Sequence, residues 1–456
     1  MSEREVDVIV IGAGPAGEVC AGRLADGGLE VALVEQELIG GECSYYACMP
    51  SKALLRPAEL LAEVERVPGP RELVSGTLDS ALVLDRRDEV IHDRDDSGQL
   101  PWLDSRGIEL LRGRGALAAE RTVNVGGELV RARRAVIVAT GTTAAIPPIG
   151  GLAQARPWTN RDATTASEVP DRLLVLGGGV VGAEMAQAWS SLGSNVALVE
   201  ASDRILATEE PFASEQVSAG LERAGVEIRT GAKATAVARG ESGQVSLRLE
   251  VGAELRGDEL LVAVGRRPRT DDIGLETAGV ASGGYLEVDD QLRVAGSDWL
   301  YAIGDVNGRA LLTHMGKYQA RIAADHILGA DVAATCDKLG SPRVVFTEPQ
   351  VAAVGRTLAA AKQAGIDARV VDVETAASAG ASFVGRNADG SSRIVVDEKR
   401  RVIVGATFVG PGIAESLHAA TIAVTAEVPL DRLWHAVPAF PTRSETWLKL
   451  LEEYGL

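Results

Sequence analysis

Two cysteines, Cys43 and Cys48, stand in "GGECSYYACMPSK", separated by four residues in a Gly-rich turn. Thiols so placed have two chemical uses, a redox pair or half of a metal site. Structural zinc takes four ligands, usually as two spaced pairs. Cys20 falls inside a predicted helix and Cys336 in a remote linker, so neither makes a second pair and zinc is disfavoured. Pro50 follows Cys48 closely and suits the first turn of a predicted helix. The positive end of that helix lowers the pKa of Cys48 and favours its thiolate.

Such a turn needs a scaffold. "DVIVIGAGPAGEVCAGRLADGGLEVALVE" reads strand, turn, helix, strand, and the run Val8 to Ile11 fits a parallel strand buried on both faces. Gly12, Gly14 and Gly17 make a G-x-G-x-x-G turn: Gly12 allows the tight bend, Gly14 a close approach by pyrophosphate, Gly17 close helix packing. Glu35 ends the second strand, where a carboxylate accepts ribose hydroxyls. The device recurs with Gly177, Gly179, Gly182 and Glu200, and the interval from Gly14 to Glu35 equals that from Gly179 to Glu200. One such turn is a weak signal; two complete units in one chain are a strong one.

Further strands end at Thr140-Gly141, Gly265 and Gly304-Asp305, the last followed by a long helix. Beyond "SPRVVFTEPQVAAVG" the Gly fingerprints stop, and "SSRIVVDEKRRVIVGATFVG" reads as an antiparallel hairpin. "HDRDDSG" reads as a solvated polar loop without function. Boundaries are expected near residues 149, 270 and 335. The chain has 456 residues, enough for several domains, and a formal net charge of −18 that disfavours nucleic acid and anionic membrane partners. Its apolar runs are too short to span a bilayer. The N-terminus shows no secretory pattern, and four Cys in a chain this long fit a reducing cytoplasm.

The order of these pieces resembles the flavoprotein (pyridine nucleotide-) disulfide reductases, such as dihydrolipoamide dehydrogenase and mercuric reductase, over essentially the whole chain. The motifs carrying the resemblance are "GGECSYYACMPSK", "ATG", "AVGRRP", "YAIGD", "FTEPQVAAVG" and "FPTRSE". It implies an α/β fold with two Rossmann-like dinucleotide-binding domains and an α+β C-terminal dimerisation domain. The implied layout is an FAD-binding domain in two segments, 1–149 and 270–335, an NAD(P)-binding domain at 150–269 and an interface domain at 336–456 of a homodimer. Gly12, Gly14, Gly17, Glu35, Gly41, Thr140, Gly141, Gly304 and Asp305 would serve FAD, with Asp305 on the ribityl chain. Gly177, Gly179, Gly182, Glu200 and Gly265 would serve the nicotinamide dinucleotide. Glu200 favours NADH by repelling a 2′-phosphate, while Arg204 leaves NADPH open. Lys52 would pair with Glu184 near the flavin. Cys48 is implied as the thiol that contacts the flavin and Cys43 as the thiol that exchanges with substrate. The implied reaction carries hydride from NAD(P)H to FAD, on to the Cys43–Cys48 disulfide, and then to a thiol/disulfide acceptor.

One departure bears on the acceptor. Relatives that exchange dithiols end in His-Pro-Thr-x-x-Glu, with the His, from the partner subunit, as proton shuttle. Here Phe440 replaces the His, while Pro441, Thr442 and Glu445 remain. Weak lipoamide and glutathione disulfide activity is therefore expected. His435 offers a displaced base or an ordinary interface His. Mercury is disfavoured because no cysteine pair lies in "LKLLEEYGL". His314 reads as scaffold near the flavin. Tyr45 and Tyr46 either line an aromatic acceptor site with Phe440 or pack in the core. Two other functions stay open: a diaphorase-type reductase passing electrons from flavin to a quinone or other small acceptor, and a redox-sensing or structural flavoprotein with negligible turnover.

Overall fold

The structure, a computed structural model, describes residues 4–250 and 252–456, and it divides into two compact units. The first comprises residues 4–50, Asp88–Ala144 and Arg266–Lys338. Its sheet is seven-stranded among the described residues. Strands Glu109–Arg112, Val31–Glu35, Arg4–Ile11 and Glu128–Val138 lie side by side in parallel. Leu300–Ala302 adds a further parallel strand on Glu128–Val138, and Thr122–Val125 and Gly115–Ala119 extend it antiparallel.

The apolar run Val8 to Ile11 is continuous because both sheet faces are covered. Val8 and Val10 point into a core shared with helix Pro15–Asp26 and helix Thr313–Ile327. Ile9 and Ile11 alternate to the opposite face and pack with Val34, Val136 and Leu300. Cys20 lies fully buried on helix Pro15–Asp26, and burial pushes its thiol well above the ordinary range.

The second unit comprises Ser51–Arg87, Ala145–Gly265 and Leu339–Leu456. A parallel sheet runs in the order Glu227–Arg229, Asn195–Val199, Arg172–Leu176, Glu259–Val262, flanked by helix Val180–Ser191. A three-stranded antiparallel sheet, Ala234–Arg239 to Glu254–Gly257, packs into its own apolar cluster with Leu174 and Val199. The C-terminal region forms a five-stranded antiparallel sheet, in which Ser391–Asp397 and Val402–Gly410 pair as the expected hairpin. Helix Cys48–Arg66 carries the chain from the first unit into the second. Among the described residues no helix is long and apolar enough to cross a membrane.

Candidate active site

In the first unit the glycine turn meets the thiol turn. Gly12 takes φ +105°, and a Cβ there would stand 2.5 Å from the Ala139 carbonyl oxygen. A Cβ on Gly17 would stand 1.9 Å from Gly12 O, while Gly14 has no atom within 4 Å of where its Cβ would be. The helix therefore packs tightly on its strand and still leaves open space above its first turn. Its N-cap, Gly14, supplies no side chain to the free amides. That is the cradle a pyrophosphate needs, and FAD fits it.

Glu35 shapes the same turn. Its carboxylate accepts the amides of Ala13 at 2.7 Å and Glu37 at 2.7 Å. The Gly40 amide donates to Ala13 O at 2.8 Å, and a Cβ on Gly41 would lie 2.7 Å from Gly14 Cα. Only a glycine allows this contact, which sets the thiol turn directly on the dinucleotide turn. The polar loop at residues 92–98 helps fix it, contrary to the expectation of an idle solvated segment. Asp96 accepts the Ile39 amide at 2.8 Å and Arg112 Nη2 at 2.7 Å.

The two thiols hydrogen-bond to each other, and Cys48 Sγ lies 3.3 Å from Thr313 Oγ1 at the start of helix Thr313–Ile327. Cys48 opens helix Cys48–Arg66, with Pro50 in its first turn. The Cys43 thiol is pushed well up, first by its hydrogen bond to Cys48 and then by burial. The Cys43 thiol therefore holds its proton tightly in this arrangement. Thr140 and Gly141 lie beside the first glycine turn, where a Cβ on Gly12 would be 3.2 Å from Thr140 N. Gly304 donates its amide to Gln319 at 2.8 Å, and Asp305 accepts from Thr142 Oγ1 at 2.8 Å. Burial raises the Asp305 carboxyl. Tyr45 is 3% exposed and packs against Gly40, so it is a core residue; Tyr46 is half-buried. His314 is exposed.

Glu18, on the first fingerprint helix, was not singled out by the sequence. Burial pushes its carboxyl up to about 7; Lys317 opposes this and Glu35 adds to it, with the Tyr45 phenol also nearby. The folded chain holds this proton more tightly than the unfolded chain. Its stabilising contribution is thus fully present below the ordinary 4.5 and is lost as pH rises through about 7. The loss is on the order of 3 kcal/mol. Glu18→Gln is therefore expected to raise the thermal midpoint relative to the parent at pH 8 and not at pH 5. Equal differences at both pH values would contradict it.

The second unit holds the other predicted residues. Gly177 takes φ +110°, a Cβ on Gly182 would lie 1.9 Å from Gly177 O, and Gly179 is again open. The uncapped start of helix Val180–Ser191 repeats the phosphate cradle. Glu200 accepts the amides of Gly178 at 2.6 Å and Ser202 at 2.7 Å. Burial alone would raise its carboxyl, but these amide bonds win and hold it below the usual range. Arg204 donates to the carbonyls of Ala207 at 2.7 Å and Glu209 at 3.0 Å. Lys52 Nζ reaches Glu184 Oε2 at 2.7 Å and lies 4.7 Å from the centre of the Phe346 ring. The buried Glu184 carboxylate also accepts the Phe346 amide at 2.9 Å. Gly265 takes φ +142° at the end of the segment Ala145–Gly265. Glu445 accepts the Gly380 amide at 3.0 Å, while Phe440 is 77% exposed and His435 is exposed.

Residues 6–324 match the family described as pyridine nucleotide-disulphide oxidoreductase, and residues 341–451 match the dimerisation domain of the same description. A dihydrolipoyl dehydrogenase of Chlamydia muridarum is 32% identical over 449 residues, covering 97% of this chain and 95% of its own. The Cu(II) complex of the HOCl-induced flavoprotein disulfide reductase RclA from Escherichia coli superposes with a TM-score of 0.86 at 27% identity over 99% of each chain. LpdA from Mycobacterium tuberculosis gives a TM-score of 0.87 at 26% identity, covering 99% of this chain and 100% of that one.

Proposed function

Since the chain belongs to the pyridine nucleotide-disulphide oxidoreductase family, we propose that it is a reductase whose working group is the Cys43–Cys48 pair and whose acceptor is a disulfide. It is an NAD(P)H-dependent flavoprotein oxidoreductase using FAD. The observation that carries the proposal is the hydrogen-bonded thiol pair itself, set on the dinucleotide turn by the Gly41–Gly14 contact and touched by Thr313.

Gly12, Gly14, Gly17 and Asp305 would hold FAD, which would supply to the thiol pair two electrons drawn from the nicotinamide. Those electrons and one proton break the Cys43–Cys48 bond, leaving Cys48 as thiolate and the proton on Cys43. Thr313 and the start of helix Cys48–Arg66 favour the charge on Cys48. Cys43, once deprotonated, attacks one sulfur of an acceptor disulfide and expels the other, which takes up a proton. The Cys48 thiolate then attacks Cys43, restoring the disulfide and releasing the second thiol.

The FAD-binding segments are 1–149 and 270–335, the nicotinamide dinucleotide lies on 150–269, and 336–456 joins two copies in a homodimer. NADH is the preferred donor: the ionised Glu200 repels a 2′-phosphate, and Arg204 is committed to two carbonyls. Its kcat/KM should exceed that of NADPH by about tenfold or more, and equal values would contradict this assignment. The burial of Tyr45 removes one wall of an aromatic quinone site, which leaves the disulfide reading ahead.

The test is steady-state oxidation of NADH with 5,5′-dithiobis(2-nitrobenzoate) as acceptor. Its acidic leaving thiol departs without a protein proton donor, so the exchange needs no acid at position 440 to release it. Failure to turn over would remove the proposal.

A further inference from the structure

Between the thiol turn and Asp305 runs a chain of charged and polar contacts centred on Arg266. Glu42, which directly precedes Cys43 in helix Gly41–Tyr45, binds Arg266 Nη2 at 2.8 Å and Arg269 Nη2 at 3.4 Å. The same Arg266 side chain donates through Nε to Thr142 Oγ1 at 2.9 Å and through Nη2 to Thr142 O at 3.1 Å. Thr142, 4% exposed, then donates its hydroxyl to Asp305 Oδ2 at 2.8 Å. Strand Arg266–Pro268 pairs with Thr142–Ala144, so the backbone under both residues is fixed.

The direction of each bond matters. A threonine hydroxyl has one proton. Because Arg266 donates to the oxygen, that proton is left for Asp305. Without the guanidinium the hydroxyl is free to turn toward another acceptor. One planar fork therefore sets both the thiol turn and the donor to Asp305. A lysine, with one nitrogen, reaches Glu42 or Thr142 but does not reproduce the fork.

We propose that Arg266 is a positioning residue of the redox centre, tying the thiol turn through Glu42 to the Asp305 carboxylate through Thr142. This rests on the reading of Cys43 and Cys48 as the redox pair and of Asp305 as an FAD ligand. A mutation at Arg266 then loosens the thiols and FAD together, although the side chain itself transfers neither electrons nor protons.

The test uses FAD-loaded protein carrying Arg266→Met, Arg266→Lys, Glu42→Gln, Thr142→Val or pairs of these. Two quantities are read: the FAD dissociation constant, and the long-wavelength thiolate–flavin band per bound FAD after two-electron reduction. Arg266→Met should weaken FAD about tenfold and lower the band at equal FAD content, and Arg266→Lys should not restore the band. Glu42→Gln should lower the band with less than about a threefold effect on FAD, and adding it to Arg266→Met should bring no further loss. An unchanged band in Arg266→Met at equal FAD content, full rescue by lysine, or additive losses would overturn the proposal. If the parent shows no such band, the redox reading of the thiols falls instead. The Arg266→Met and Thr142→Val cycle in FAD affinity then decides: a non-additive loss supports the strut, and additivity or no loss refutes it.

Discussion

Replacing Cys43 by serine is expected to cut NADH-dependent reduction of 5,5′-dithiobis(2-nitrobenzoate) by about a thousandfold or more. A serine hydroxyl neither forms a disulfide nor ionises near neutral pH, so the chain loses the group proposed to attack the acceptor. The rest of the site should survive. Gly41 makes the close contact with Gly14, and Glu35 and Asp96 pin the surrounding backbone, none of it through the Cys43 side chain. FAD content and thermal midpoint should match the parent, and Cys48 should still be able to face the flavin. The same variant separates the two catalytic routes. Electron flow from flavin straight to a quinone does not need Cys43, so quinone turnover would persist through the substitution. Full retention of disulfide turnover would mean that the thiols are bystanders.

The second large effect is a gain. Phe440→His should raise lipoamide turnover by about a hundredfold, the lower end of what a positioned acid–base supplies. In the disulfide reductases an imidazole at this place moves the proton of the exchange thiol, and a Glu three residues beyond the Thr orients it. That Glu remains here as Glu445, one oxygen of which holds the Gly380 amide, leaving a second oxygen for an imidazole. Phe440 is 77% exposed, so the change should cost the fold nothing measurable. The gained activity should rise with pH around the histidine range, near about 6.5, whereas turnover of an activated disulfide should change little. No gain with lipoamide would mean that residue 440 does not reach the exchange thiol in the assembled enzyme.

Local pattern explains how much of this was readable. Both glycine turns announce themselves because Gly12 and Gly177 need positive φ, and because Gly17 and Gly182 have no room for a Cβ. The strand Arg4–Ile11 is readable because burial on both faces makes its apolar run continuous. The thiol pair is readable from its spacing, and the Lys52–Glu184 ion pair from family resemblance alone. What escaped is long-range and polar. Asp96 looks like one more charge in a hydrophilic loop, and nothing near it in sequence says that it grips the Ile39 amide. Glu42 and Arg266 are ordinary charged residues until the fold brings them to 2.8 Å. Arg87 is buried and donates to the carbonyls of Thr164 and Ala166, far from it in sequence. Such pairs follow no period of two or of 3.6 residues, so hydrophobic patterning carries no trace of them. Tyr45 shows the converse: the sequence leaves it open between a wall of an acceptor site and a core residue, and its ring fills space under the turn.

The most direct test of the central claim is an anaerobic titration of the oxidised protein with NADH, followed by visible spectroscopy. If Cys43 and Cys48 are the working pair, the protein takes up two reducing equivalents beyond those of its flavin. A long-wavelength band, from a Cys48 thiolate against oxidised flavin, appears before the flavin bleaches. If the flavin bleaches from the first addition, with no such band and no extra equivalents, the thiols take no part and the proposed reaction is wrong.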